Sequence, residues 1–119
     1  MLNVAQELFD TSRDIRYVAV YTGGEPQLHQ RQGLRTPSSS ESDRYEELIV
    51  NPTLLTLTQQ RGNIDCGGLE YVLIRYGHFF ELVHPVAGGH ISVGIEPDGD
   101  PFGVLRHARE AARRAGLLP

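Results

Sequence analysis

The sequence predicts an α+β domain with a mostly antiparallel five-stranded sheet and helices on both faces. Residues 69–96 contain three short aliphatic and aromatic segments separated by turn residues, which is typical of a strand meander. A helix with clear start and stop residues follows the meander, and a second strand pair with helical segments on either side precedes it. The predicted order is therefore helix, strand, strand, helix, strand, strand, strand, helix.

The first third of the chain predicts a short helix and a hairpin. One face of the helix is apolar, and it ends near Thr11-Ser12; the apolar positions are Leu2, Val4, Ala5, Leu8 and Phe9. Residues from Asp14 to Tyr21 are β-branched and aromatic, and Gly23-Gly24 offers the positive φ that a hairpin turn needs. The segment from Gln27 to Gln32 is polar, which predicts an edge strand with one face in water.

A Ser-rich loop over residues 33–42 precedes two predicted helical pieces. The spacing of Asp43 and Glu46 is that of a capping box, so the first piece should run from Asp43 to Val50. Asn51-Pro52 then breaks the pattern, because proline disrupts a helix interior while Asn followed by Pro starts a helix well. The second piece should run from Pro52 to Gln60 and end at Gly62.

The predicted meander begins with Leu69 to Tyr76, a segment in which both alternating sets of side chains are apolar. This strand should be covered on both faces. Phe79 to Val83 and His90 to Glu96 are the next two strands, joined through Ala87-Gly88-Gly89. The final helix starts with Asp100 as N-cap and Pro101 at the first position, and Gly116 ends it.

Size and composition indicate one domain over residues 1–119. The chain has a mass of 13.2 kDa and a net charge of −4, which disfavours broad nucleic-acid binding. No segment is typical of a signal peptide or a membrane span. The single cysteine, Cys66, cannot form an internal disulfide. We therefore expect a cytoplasmic protein without nucleic-acid or membrane partners.

The histidines of the meander lack the spacing of a metal site. His78, His84 and His90 lie there, but no H-x-H, H-x-x-x-H or C-x-x-C spacing is present. Beside a two-residue Gly88-Gly89 turn, Ala87 and not His84 would lie opposite His90. We therefore predict no metal.

Other residue types that could carry chemistry also lack a supporting pattern. Cys66 has no flanking signature of a nucleophile and is expected to be buried or inert. The acidic triplet Glu96, Asp98 and Asp100 lacks the later bidentate Glu of a calcium loop, so turn and cap roles are favoured. We predict no catalytic residue and no cofactor.

These elements, and the tail from Asp98 to Gly116, resemble the roadblock/dynein light-chain domain, including its MglB-like bacterial members. The resemblance covers about Leu2 to Ala115 and rests on Gly67-Gly68, Gly88-Gly89 and the opening of the last helix. Asn51-Pro52 and the Ser-rich loop depart from the family pattern. The resemblance implies a non-catalytic homodimer that binds a small Ras-like GTPase.

Two groups of residues are candidates for these contacts. The family pairs its central helices and the adjacent strand edges, which makes Leu54, Leu55, Leu57, Leu69 and Tyr71 the candidates for the dimer interface. The leucines also spread apolar surface around their helix, more than one inner face requires. Arg106, Arg109 and Arg113 of the last helix are candidates for binding a partner, although cations near a helix C-terminus are also common on ordinary solvated faces.

Two other functions remain open from the sequence. A profilin-like or sensor-like domain that binds a small ligand has a similar order of helices and strands, and a fold does not determine a function. A small enzyme is disfavoured, because no nucleophile, base and orienting group stand in recognisable spacing.

Overall fold

The computed structural model describes residues 3–119 and confirms the predicted fold class and element order. Three helical units surround a five-stranded sheet whose neighbouring strands are all antiparallel, in the order β2-β1-β5-β4-β3. The strands are β1 (Ile15–Tyr21), β2 (Gln27–Gln30), β3 (Val72–Arg75), β4 (Phe80–Val86) and β5 (Gly89–Ile95). The helices are α1 (Val4–Thr11), α2 (Ser40–Tyr45), α3 (Asn51–Asp65) and α4 (Pro101–Arg114), and a π-helical turn (Glu46–Val50) joins α2 to α3.

Helices α1 and α4 cover one face of the sheet and bury the main apolar core. Asn3 caps α1 by accepting a hydrogen bond from the Gln6 amide (3.1 Å), and Leu2 lies outside the described residues. Asp100 caps α4 as predicted, accepting from the Phe102 amide at 3.1 Å. The buried core includes Val4, Leu8, Ile15, Val18, Leu82, Ile91, Val93, Ile95, Val104, Leu105, Ala108 and Ala112.

The central helical segment is continuous, and the sequence prediction of its boundaries was wrong. It begins at Ser40, inside the predicted loop, because the Ser39 hydroxyl caps it by accepting from the Ser42 amide at 3.1 Å. The predicted break at Asn51-Pro52 is the π turn, where the Asn51 amide donates to the Glu46 carbonyl. Widening the helix ahead of Pro52 accommodates a ring that would clash with the carbonyl four residues before it.

The end of α3 also differs from the prediction. Helix α3 passes Gly62 and ends at Asp65. The amides of Cys66 and Gly68 both donate to the Gly62 carbonyl, each at 3.1 Å, so the chain folds back against the helix there. Gly62 therefore marks a close contact between helix and loop instead of a helix stop.

The meander has the predicted three strands, with changed limits. Strand β3 is four residues long instead of the predicted Leu69 to Tyr76, and it is an edge strand whose aliphatic side chains are half-buried. The turn to β5 consists of Ala87-Gly88, since Val86 pairs with Gly89. Gly89 allows β1 to lie close, because an added Cβ would stand 1.8 Å from the Tyr21 carbonyl oxygen. Among residues 3–119, no helix has the length and apolar character needed to cross a bilayer.

Candidate functional site

The second face of the sheet carries a buried polar layer beneath the π turn. Tyr17 reaches it from β1, and His90 and Ser92 reach it from β5. Glu47 and Asn51 descend from the helical segment, and all five side chains are buried. Buried polar groups are costly unless they are hydrogen-bonded, and most of the polar atoms in this layer find partners within it.

The Glu47 carboxylate is the centre of this layer. Its Oε1 accepts from the Ser92 hydroxyl (2.5 Å) and from the Asn51 side-chain amide (3.1 Å), and it lies 2.8 Å from His90 Nε2. Its Oε2 accepts from the Tyr17 hydroxyl at 2.8 Å. A carboxylate can accept about four hydrogen bonds, and four groups surround this one. Burial and the Glu47 charge raise the pKa of Tyr17, which keeps the phenol a donor.

Strand alternation explains how the layer forms. On β5, Ile91, Val93 and Ile95 point to the α1 and α4 core, so His90 and Ser92 point to the opposite face. The sequence shows this alternation, but it does not show that the polar side chains are buried. No local pattern marks Glu47, which looks like an ordinary surface residue of an acidic helix.

The layer contains a serine, a histidine and a carboxylate without the geometry of a nucleophilic triad. In such a triad the base bonds the nucleophile and the acid orients the base. Here Ser92 and His90 both contact the same Glu47 oxygen, and Ser92 is fully buried. The contacts of Glu47 with Tyr17, His90 and Ser92 connect the π turn to β1 and β5.

The five predicted interface residues differ widely in exposure. Leu57 is 60% exposed, whereas Leu55 is 6% exposed and belongs to the chain's own core. Leu54, Leu69 and Tyr71 are half-buried. Two further apolar side chains, which were not predicted to lie at an interface, are also open, since Ile49 is 51% and Ile64 is 75% exposed.

The three predicted partner-binding arginines are not equivalent. Arg106 and Arg113 are exposed on α4. Arg109 is engaged within the chain, where it donates to Glu70 Oε1 (2.8 Å) and His84 Nε2 (3.1 Å). Its guanidinium also lies 5.6 Å from the centre of the Tyr71 ring. Burial, opposed by a hydrogen bond to the Pro85 carbonyl and assisted by the Arg109 charge, lowers the pKa of His84.

The histidines of the meander and Cys66 do not form a common site. His84 faces Ile91 across the strand pair, and His90 faces Pro85 instead of the predicted Ala87. Across residues 3–119, no group of three or more His, Cys, Asp or Glu side chains is arranged to hold a metal ion. Cys66, expected to be buried or inert, is exposed, and its sulfur lies 3.4 Å from Asp65 Oδ1.

Comparison with known proteins adds no family to this geometry. No protein-family model matches the sequence, and no curated protein is significantly similar to it.

Proposed function

We propose that this protein is a non-catalytic homodimeric adaptor that pairs through α3 and the outer edge of β3 and binds a small Ras-like GTPase. The observation that carries the proposal is the apolar surface that α3 leaves in water. The GTPase part of the proposal is based on the resemblance to roadblock domains, whose dimers act as platforms for such partners.

Three leucine and isoleucine side chains of α3 that are not buried lie on one face of the helix. Leu54, Leu57 and Ile64 follow at intervals of three and seven residues, which places them on one stripe. The two most exposed of them, Leu57 and Ile64, are bulky aliphatics that a solvated surface does not require. A second copy of the helix, packed against this stripe, would remove that apolar area from water.

The two edge strands of the sheet differ in polarity, and the apolar edge also favours pairing with a second copy. Strand β2 presents glutamine and histidine side chains, which suit a solvated edge. Strand β3 presents Val72, Leu73 and Ile74, all half-buried, and within residues 3–119 it pairs only with β4. An aliphatic edge is a template for pairing with another strand, so β3 is the edge at which two sheets would join.

Light scattering tests the dimer. The wild-type protein at micromolar concentration should show about twice the chain mass of 13.2 kDa. Leu57→Glu places a charge in the proposed contact from both copies and should weaken association by roughly tenfold or more, since desolvating it costs more than about 1.4 kcal/mol. The matched control is Gln59→Glu, which adds the same charge at an exposed position of the same helix, two residues from Leu57 and therefore away from the stripe. A monomeric wild type, or equal association of both variants, would contradict the proposal.

A further inference from the structure

An acidic cleft lies between the α2 and π-turn segment and the hairpin that joins β3 to β4. Its volume is about 510 Å³. Four carboxyl groups line it, those of Glu41, Asp43, Glu46 and Glu81, and none of the described lining residues is basic. Like charges at close range repel one another, so this surface favours a cation.

Glu81 is the anomalous group of the cleft. The side chain is 2% exposed, and its Oε1 is buried without a hydrogen-bond partner. Burial, followed by the charge of Glu47 and the contact with Glu46, raises its pKa well above the ordinary range. An acceptor left unsatisfied in a buried site costs about 1–3 kcal/mol, and an incoming donor would recover that energy.

Arg16, a buried cation, makes its direct contacts outside the cleft carboxyls. Arg16 contacts Glu96 Oε1 at 3.0 Å and donates to the Thr36 carbonyl. Its guanidinium lies 4.9 Å from the centre of the Phe79 ring. The Arg16 charge acts on Asp43 of the cleft, but Arg16 does not hydrogen-bond to Glu81 Oε1.

Aromatic side chains complete the cleft. Tyr45, Tyr76 and Phe79 line it, and the last two rings meet edge to face with their centres 5.4 Å apart. The Tyr76 hydroxyl donates to Glu46 Oε1 at 3.0 Å, which fixes the orientation of that carboxylate. Burial and the Glu46 charge raise the pKa of Tyr76, so the phenol remains a donor at neutral pH.

We propose that this cleft binds a guanidinium group, held by the carboxyls of Glu46 and Glu81 and flanked by the aromatic rings. A guanidinium presents a planar set of donors that suits paired carboxylates, and it stacks on aromatic faces more readily than an ammonium does. A metal ion fits less well, because no cluster of three ligating side chains forms among the described residues. None of the residues of the α3 stripe lines this cleft.

Calorimetry with two probes tests the site. Acetyl-arginine amide represents an arginine side chain of a partner protein, and ethylguanidinium represents a free guanidinium compound. Both should bind at one site per chain, and acetyl-lysine amide should bind more weakly than acetyl-arginine amide. Tenfold or greater preference for acetyl-arginine amide over ethylguanidinium would assign the site to a protein arginine. Similar affinity for the two would assign it to a small compound.

The variant Glu81→Gln separates binding from folding. The neutral amide resembles the protonated carboxyl in size, so the variant should fold, and its binding should fall by about tenfold or more. The matched control Glu110→Gln removes the same charge from an exposed position on α4 and should bind as the wild type does.

Proton release on binding is a measurement that would not change if Glu81 had only a structural role. Because the guanidinium favours the ionised carboxyl, binding at neutral pH should release a proton from the wild type and none from Glu81→Gln. Titration in two buffers of different ionisation enthalpy measures that proton. Absence of binding, equal affinity of Glu81→Gln and wild type, or a lysine probe as tight as the arginine probe would each overturn the proposal.

Discussion

Asn51 shows how one side chain can serve a purpose that its local sequence does not indicate. Its position before Pro52 predicts a helix cap. In the structure its backbone is helical, and its side-chain amide donates to Glu47 Oε1 (3.1 Å) and to Ser92 Oγ (2.9 Å). Its own Oδ1 is buried without a partner. The residue therefore supplies a donor to a buried carboxylate, and the unpaired oxygen is a cost of placing it there.

Substitutions of Asn51 distinguish a helix-capping role from the role of a buried hydrogen-bond donor. Asn51→Ala removes both donated bonds and should lower the free energy of unfolding by about 1–3 kcal/mol. Asn51→Asp should be worse, because it puts a second carboxylate beside Glu47, whereas a cap position would accept Asp readily. Urea denaturation measures the free energy of unfolding of both variants, and Asn63→Ala, at an exposed position of α3, is the control. An aspartate variant as stable as wild type would restore the cap interpretation.

The polar layer was only partly predictable from the sequence. The alternation of β5 shows that His90 and Ser92 share a face opposite the apolar core, so their placement follows from period two. Their burial depends on a helical segment more than 40 positions earlier in the chain, and the sequence does not reveal that contact. Glu47 is recognisable as buried only once the π turn is known to cross β1 and β5.

At the scale of elements, Gly62 links the end of α3 to the segment that leads into β3. An added Cβ there would lie 3.0 Å from the Gly68 carbonyl carbon and 3.2 Å from the Leu69 nitrogen, both backbone atoms that cannot rotate away. Helix propensity alone favours alanine over glycine by about 0.8–1.0 kcal/mol. The two effects oppose each other, and the backbone contact should prevail.

Gly62→Ala should therefore destabilise the protein by about 1–3 kcal/mol, the usual cost of overpacking. The control is Gly77→Ala, where an added Cβ meets no atom within 4 Å, and that change should stay within about 0.5 kcal/mol. Thermal or urea unfolding of the two variants provides the comparison. A stabilised Gly62→Ala protein would mean that the loop moves aside and that propensity prevails.

The central helical segment shows why element boundaries were harder to predict than element types. Proline at position 52 correctly signals a disturbance, because the missing N–H is a local property. Whether the disturbance becomes a break or a π turn depends on tertiary contacts, here those of Glu47 and Asn51 with the sheet. The Ser-rich loop offers several capping residues, so Ser39 could not be chosen over Asp43 from spacing alone.

At the scale of the whole molecule, the two sheet faces differ in character. The α1 and α4 face is aliphatic and closed, whereas the other face combines a sealed polar layer, an acidic cleft and the apolar stripe of α3. The strand order β2-β1-β5-β4-β3 was not predicted, because periodicity along the sequence does not specify which strands are neighbours in the sheet. The second face therefore carries the acidic cleft and the exposed apolar stripe, while the exposed arginines Arg106 and Arg113 lie on α4.

The partner of the proposed dimer should be recognisable by the nucleotide dependence of its binding. An adaptor of this kind should distinguish the nucleotide states of its GTPase, because the γ-phosphate orders the switch loops that form the contact surface. The Ras-like GTPase partner of the proposed adaptor should bind more tightly with a GTP analogue than with GDP, by roughly 5–150-fold if the coupling is of typical size. Titration calorimetry in both nucleotide states measures the ratio, and Arg106→Ala should reduce the affinity if α4 forms part of the contact. Equal affinity in both states would contradict an effector or activator role and leave only a constitutive scaffold, which needs contacts outside the switch loops.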